Sequence, residues 1–335
     1  MHSMLLMFGA RRLQLICFPT KKFRRRDKSQ SLYEQDKGVF LMAGSDFLES
    51  SNATNQALNW GCTYLMCPPD HFGVFYEINP WMHTQVAPDR DLAHTQWDNL
   101  VANIKQAGGT VQTMEAVQGL PDLVFTANAG LVNGRTFIPS KFKFPERQPE
   151  VIYNNEWFRA HDFEVVEFSS DPHLYFEGCG DAFIVNGQLV AGYGFRTELG
   201  AHAVLAKQLG VPFHSIRLVD ERLYHLDISF CPLDERHAII APDVWHRSSA
   251  EDILRFIPEP LVLELDEALA FSANSIVVGS TVIMPHCPAR VERILHKWGY
   301  EVCVSPVTEF LKAGGGVRCL TLALDVAYPK PERAE

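Results

Sequence analysis

Five short segments of the chain resemble one another, and the side chains at their comparable points could do nucleophilic chemistry. They are DLVFTANAGLV (122–132), FEGCGDAFIV (176–185), YHLDISFCPL (224–233), FSANSIVVG (271–279) and GGVRCLTLAL (315–324). Together they offer Asp122, Asn128, Glu177, Asp181, His225, Asp227 and Cys319. Carboxylates, one His and one Cys suit attack on a cationic electrophile. A guanidinium is planar and carries N–H donors that match carboxylates in a fork. Its carbon resists attack because its charge is delocalised, so it needs a nucleophile as strong as a thiolate. The departing nitrogen needs a proton from a positioned acid. The fourth segment holds no acid or nucleophile and is read as shaping the site.

Each residue also has a plainer reading. Cys319 could be a buried core thiol, and His225 a structural histidine. Arg147 could be a solvated loop residue. Glu177 and Asp227 could be surface carboxylates, but both stand at starts of apolar strands, where burial without a partner is costly.

The elements that must position these residues follow a mixed α/β pattern. CTYLMCPP (62–69) reads as a short strand stopped by prolines. HTQWDNLVANIKQAGG (94–109) reads as a helix ending at Gly108, followed by the strand TVQTM. TELGAHAVLAKQLG (197–210) reads as a helix with Thr197 as N-cap and Gly210 past its end. CPARVERILHKWG (287–299) repeats that grammar, with Pro288 in its first turn and Val291, Ile294, Leu295 and Trp298 on one face. YEVCVSP returns as a strand, and LTLALD reads as another. The five segments recur at roughly 45 to 52 residues, a spacing that points to a radial or stacked repeat. Read with the helices between them, they form strand–strand–helix–strand units around an axis, so that the polar strand starts converge. Coincidence of five strand starts is the alternative.

Composition bounds the rest. The chain has 335 residues, 47% hydrophobic and 21% charged, with a formal net charge of −10. Eight Lys/Arg against one acidic residue in positions 1–30 leave the remainder strongly acidic. An acidic body argues against nucleic acid as a partner, and no apolar run is long enough to span a bilayer. The eight cysteines, at 17, 62, 67, 179, 231, 287, 303 and 319, include no CxxC pair and no Cys/His cluster with zinc spacing. No metal or organic cofactor is therefore expected, and a reducing, cytoplasmic compartment is the default. The basic start is read as a disordered extension over 1–57. If it is a transit peptide instead, the location becomes organellar. A single catalytic domain is expected over 58–328, with a tail at 329–335. Homo-oligomerisation is left open.

The motifs PDLVFTAN, EGCGD, HLD and GGGVRC, in this order, resemble the guanidino-group-modifying superfamily. It includes arginine deiminases, dimethylarginine dimethylaminohydrolases, amidinotransferases and arginine dihydrolases. The resemblance covers about residues 60–326 and implies a five-bladed ββαβ propeller, in agreement with the pseudo-fivefold repeat. It implies that Cys319 is the nucleophile forming a thiouronium intermediate. His225 would protonate departing ammonia and then activate water. Glu177 and Asp227 would hold the guanidinium and orient His225. Asp122 would make substrate or structural contacts. Asn79, in YEINPWM, would belong to the substrate pocket, and Arg147 and Arg196 would bind the substrate's α-carboxylate. Asp181 joins the substrate-binding set, with holding the turn after Glu177 as its other role.

Asn128 stands where deiminases and dimethylarginine hydrolases carry a carboxylate, which resembles the arginine dihydrolases. The Asp of HLD suits an unmethylated guanidinium. Cys179 departs from the family's commoner EGGD and EGAGD. The expectation is a hydrolase of a small cationic guanidino substrate, arginine before methylated arginine. The alternatives are a dimethylarginine hydrolase, a deiminase, an amidinotransferase and an arginine-binding pseudoenzyme.

Overall fold

The computed structural model describes residues 61–327. The expected basic extension and carboxy-terminal tail lie outside the described residues.

The chain opens with β1 (Thr63–Met66), crosses through α1 (Arg90–Gln106) and returns as β2 (Thr110–Thr113), parallel to β1. Next, β3 (Gly130–Asn133) turns back as antiparallel β4 (Thr136–Pro139). Helix α2 (Glu150–Ala160) then crosses to β5 (Glu164–Val165), parallel to β4. The same plan recurs in β6 (Ala182–Val185), β7 (Gln188–Tyr193), α3 (Leu199–Leu209) and β8 (Phe213–Arg217). It recurs again in β9 (Phe230–Pro232), β10 (His237–Ile240), α4 (Arg247–Phe256) and β11 (Glu259–Val262). After a short α5 (Leu265–Leu269) come β12 (Ile276–Val278), β13 (Thr281–Met284), α6 (Ala289–Lys297) and β14 (Glu301–Val304). A short α7 (Thr308–Leu311) leads into the glycine segment and β15 (Leu322–Ala323), which pairs antiparallel with β1.

The result is five three-stranded sheets of one design, as the repeat predicts. Four of them join an antiparallel pair by a tight connection, and all five join a parallel pair by a helix, because a parallel partner can be reached only through a long crossover. The last strand of the chain supplies the first strand of the opening sheet. Burial falls across each sheet: β6 and β9 are buried throughout, whereas β2 and β5 are mostly exposed or half-buried. The helices cover these sheets with one apolar face. On α1 this face is Ala93, Trp97, Leu100 and Ile104, spaced three to four apart.

Local boundaries differ from the sequence reading where tertiary contacts intervene. Helix α1 starts at Arg90, before the expected 94, because the Asp89 side chain caps it by accepting from Leu92 N at 3.0 Å. Thr197 is not the cap of α3. Its hydroxyl donates to Asp181 Oδ2 at 2.7 Å and accepts from Glu177 N at 3.1 Å, and Glu198 takes the cap position. Gly210 does end α3 in the left-handed conformation. Pro288 precedes α6 as its N-cap and does not lie inside the first turn. The run LTLALD pairs only over Leu322–Ala323. The polar starts of three segments form 3₁₀ turns, at Pro121–Val124 with Thr126–Ala129, at Gly178–Gly180 and at Leu226–Ile228. Strand follows only after them.

Candidate active site

The turns at the five strand starts are joined in cyclic order by hydrogen bonds. Asn128 Nδ2 donates to the Glu177 carbonyl at 3.3 Å. Asp181 Oδ1 accepts from Leu226 N at 3.0 Å. Asn274 Nδ2 donates to the Asp227 carbonyl at 3.1 Å, and its Oδ1 accepts from Arg318 N at 3.0 Å. The Cys319 carbonyl accepts from Ala127 N at 3.1 Å and returns to the first turn. Irregular backbone is thereby buried with its polar groups paired, as burial requires.

Glycine makes this convergence sterically feasible. A Cβ on Gly316 would stand 2.5 Å from Asn274 Oδ1, and one on Gly180 would stand 2.4 Å from Asn128 Nδ2 and 3.2 Å from His225 Nδ1. The glycines of AGGGVRC thus let the Cys319 segment close on its neighbours.

Cys319 is buried, 2% exposed. Its Sγ donates to Asp227 Oδ2 at 3.2 Å and accepts from Asn274 Nδ2 at 3.2 Å. Burial, and then the Asp227 charge, push the thiol well above its ordinary value. Burial also pushes Asp227 up to about 7, partly offset by the thiol donor and by Arg318. The two groups titrate as a pair. The other Asp227 oxygen, Oδ1, is buried with no hydrogen-bond partner, whereas the buried Asp122 carboxyl has the Tyr76 hydroxyl beside it. An unpartnered buried acceptor is costly unless a ligand donates to it, and a guanidinium has donors to give.

His225 Nε2 meets Glu177 Oε2 at 2.8 Å, and Arg196 NH1 donates to the same oxygen at 2.8 Å. Burial alone would raise Glu177, but Arg196 and then His225 outweigh it and hold the carboxyl far below its usual range. An ionised Glu177 only accepts, so Nε2 carries the proton and Nδ1 is the nitrogen left to take one up.

A narrow cavity opens above Cys319 and is lined also by Asn79, Asp122, Asn128, Arg147, Arg196 and Tyr224. Glu177, Asp181, His225 and Asp227 do not line it. They lie behind it, the first through Arg196 and the last through Cys319. A wider, open cavity shares Ile78, Asn79, Met82, Arg196 and Tyr224 with it, so these residues form the wall between the two. Asn79 ties this wall to the glycine segment by donating to the Ala313 carbonyl at 3.0 Å.

Three expected roles meet a different arrangement. Asp181, placed in the substrate-binding set with holding the turn after Glu177 as its other role, accepts from Thr197 and from Leu226 N and so ties its own turn to the neighbouring one at Leu226–Ile228. Arg147 and Arg196, expected at the α-carboxylate, are both committed inside the protein. Arg147 bonds Glu150, Asn128 Oδ1 and the Asp122 carbonyl. Arg196 bonds Glu177 and the Ile78 carbonyl, and lies over the rings of Phe144 and Tyr224. Arg196 still borders both cavities. Among the described residues no group of three or more His, Cys, Asp or Glu is placed to hold a metal ion, and no helix is long and apolar enough to cross a membrane.

Asn274 is the residue that the sequence reading passed over. The signal was present: FSAN at 271–274 repeats FTAN at 125–128, which puts Asn274 in register with Asn128. Asn274→Ala removes a donor to the thiol and orphans buried backbone groups. We expect turnover to fall by roughly 10²-fold and stability by about 1–3 kcal/mol. Losing a donor that favours thiolate should also move iodoacetamide labelling of Cys319 to higher pH. Ammonia release, thermal melting and the labelling profile check the three effects, and labelling unchanged in pH would remove Asn274 from the thiol's environment.

The family described as N,N dimethylarginine dimethylhydrolase, eukaryotic, matches residues 79–326. The bifunctional arginine dihydrolase/ornithine cyclodeaminase AgrE of Nostoc sp. is 43% identical over 77% of this chain, a match that spans 37% of that protein's length. The N(G),N(G)-dimethylarginine dimethylaminohydrolase of Mycobacterium tuberculosis is 34% identical over 78% of this chain and 85% of its own. The crystal structure of the N-terminal domain of ArgZ bound to product, an arginine dihydrolase from cyanobacteria, superposes with a TM-score of 0.76. It is 40% identical and covers 79% of this chain and 98% of that one. By sequence and by fold, the chain belongs to the dimethylarginine dimethylhydrolase family and so to the guanidino-group-modifying superfamily.

Proposed function

We propose that the protein hydrolyses the guanidino group of arginine twice, converting arginine and two waters into ornithine, two ammonia and carbon dioxide. The Cys319 thiolate attacks the guanidinium carbon, and a C–N bond breaks as His225 protonates the departing ammonia. Water then attacks the thiouronium carbon, giving its proton to His225. The C–S bond breaks and leaves a ureido group. In the second round Cys319 attacks the ureido carbon and a second ammonia leaves. Hydrolysis of the S-carbamoyl adduct then releases a carbamate that decomposes to ornithine and carbon dioxide.

One observation carries the second round: the cavity wall presents a neutral amide at Asn128. Arginine side chains only donate, so Arg147 NH1, at 2.9 Å, must face Asn128 Oδ1. The Asn128 NH₂ is thereby turned the other way. One of its hydrogens goes to the Glu177 carbonyl. The second can donate to the ureido oxygen and retain the intermediate. A carboxylate at this position could not donate. The likeness to AgrE and ArgZ, named as arginine dihydrolases, supports the reading.

The second reading is hydrolysis of dimethylarginine, favoured by the family match over residues 79–326. Methyl groups would take the place of N–H donors facing the Asp122 carboxyl, which lines the cavity, and this weighs against it. Isotope-labelled arginine should give ornithine with two ammonia per arginine in the native protein, and a shift toward citrulline in Asn128→Asp. Citrulline with one ammonia from the native protein would make it a deiminase, and dimethylamine from dimethylarginine would favour the second reading.

We also infer that the five sheets are blades of one propeller. Two observations support this: the cyclic order of the turn-to-turn hydrogen bonds, and a cavity lined by Val132, Ala182, Pro232, Ile276 and Leu322, which come from the first strand of each sheet.

A further inference from the structure

We propose that Glu150 is a positioning residue that sets how many nitrogens are removed, acting through Arg147 on the amide of Asn128. The inference rests on the arginine dihydrolase reading above. Glu150 opens helix α2 and is 2% exposed, yet it does not line the substrate cavity. Both of its oxygens are spent on one partner: Arg147 Nε donates to Oε1 at 2.8 Å and NH2 to Oε2 at 2.9 Å.

A guanidinium is rigid and planar, so gripping two of its nitrogens fixes the third. The third is NH1, which donates to Asn128 Oδ1. The Asp122 carbonyl, 3.1 Å from NH2, and the Phe142 ring, 4.6 Å from the guanidinium carbon, complete the seat. Glu150 therefore decides, through one rigid side chain, which end of the Asn128 amide faces the cavity.

Without the Glu150 fork, Arg147 has another carboxylate at hand. Asp122 Oδ2 stands 3.9 Å from Nε. A guanidinium that turns toward Asp122 releases Asn128 Oδ1. The amide can then present its oxygen to the ureido oxygen of the first product. Two acceptors facing each other repel, and citrulline leaves before the second attack.

The test is the product ratio of Glu150→Gln, which keeps the size of the side chain and loses the charge and one acceptor. Labelled arginine is run to equal conversion with native protein, Glu150→Gln and Arg147→Lys. The lysine variant keeps the cation and loses the fork. We expect the citrulline-to-ornithine ratio to rise at least tenfold in both variants. In Asn128→Asp, adding Glu150→Gln should change the ratio no further, because both act on one path. A buried ion pair with a purely structural role would lower melting temperature and rate but leave the ratio at the native value, and that result overturns the proposal. If Glu150→Gln does not fold, Glu150→Asp, which keeps the charge but shortens the reach to Arg147, replaces it, and an unchanged ratio in that folded variant overturns the proposal. Native protein that releases only citrulline defeats the dihydrolase reading itself. A native protein that makes ornithine, with variants that make it in the same ratio, defeats only the role of Glu150.

Discussion

Cys319→Ser should fold as the native protein does and lose turnover by about 10⁴-fold or more, the scale on which removing a nucleophile acts. A hydroxyl has nearly the shape of the thiol and can still donate to Asp227 Oδ2 and accept from Asn274 Nδ2, the contacts Sγ makes at 3.2 Å. Packing and hydrogen bonding therefore survive. What is lost is ionisation. Burial and Asp227 already push the Cys319 thiol up, so a thiolate forms only when a cation arrives to balance it. A guanidinium in the cavity supplies that charge. A serine hydroxyl begins several pH units higher and stays neutral even then. Ammonia release against thermal melting separates chemistry from folding. Near-native activity in a folded Cys319→Ser protein would end the assignment of the nucleophile.

His225→Ala should lower the rate by roughly 10²–10⁴-fold, the range for a positioned general acid–base. The His225 ring is held at Nε2 by Glu177, and Glu177 is itself kept ionised by Arg196 at 2.8 Å. This chain fixes both the tautomer and the direction of the imidazole. If His225 serves chiefly in activating water, attack by Cys319 continues and the thiouronium adduct accumulates, visible by intact-protein mass spectrometry. If it serves chiefly to protonate the leaving ammonia, the variant is slow with no adduct. Unchanged kinetics across pH would assign the proton transfers to another group.

Much of the architecture was legible before any coordinates. The repeat of small or polar residues before an apolar strand is a local pattern, and periodicity reports which local backbone a segment adopts. It recovered the strand–strand–helix–strand unit and the convergence of the five turns. It also pointed to Cys319, His225, Glu177 and Asp227. Strand edges were less legible. The turn at Leu226–Ile228 and the short pairing at Leu322–Ala323 depend on neighbours far along the chain.

The tertiary structure alone decided how the buried polar groups are paired. Nothing local told that Thr197 would leave its helix cap for Asp181, or that Asp181 would hold a neighbouring turn. Nothing told that Arg147 would be clamped by Glu150 and aim at Asn128, or that Arg196 would serve Glu177. The FSAN echo of FTAN was in the sequence, but the bond from Asn274 to the thiol joins residues 45 apart. The physical reason is the same throughout. Secondary structure is set by side chains a few residues apart, so a sequence carries it openly. A buried donor or acceptor must find whichever partner the fold brings within about 3 Å, and that choice exists only once the turns have met.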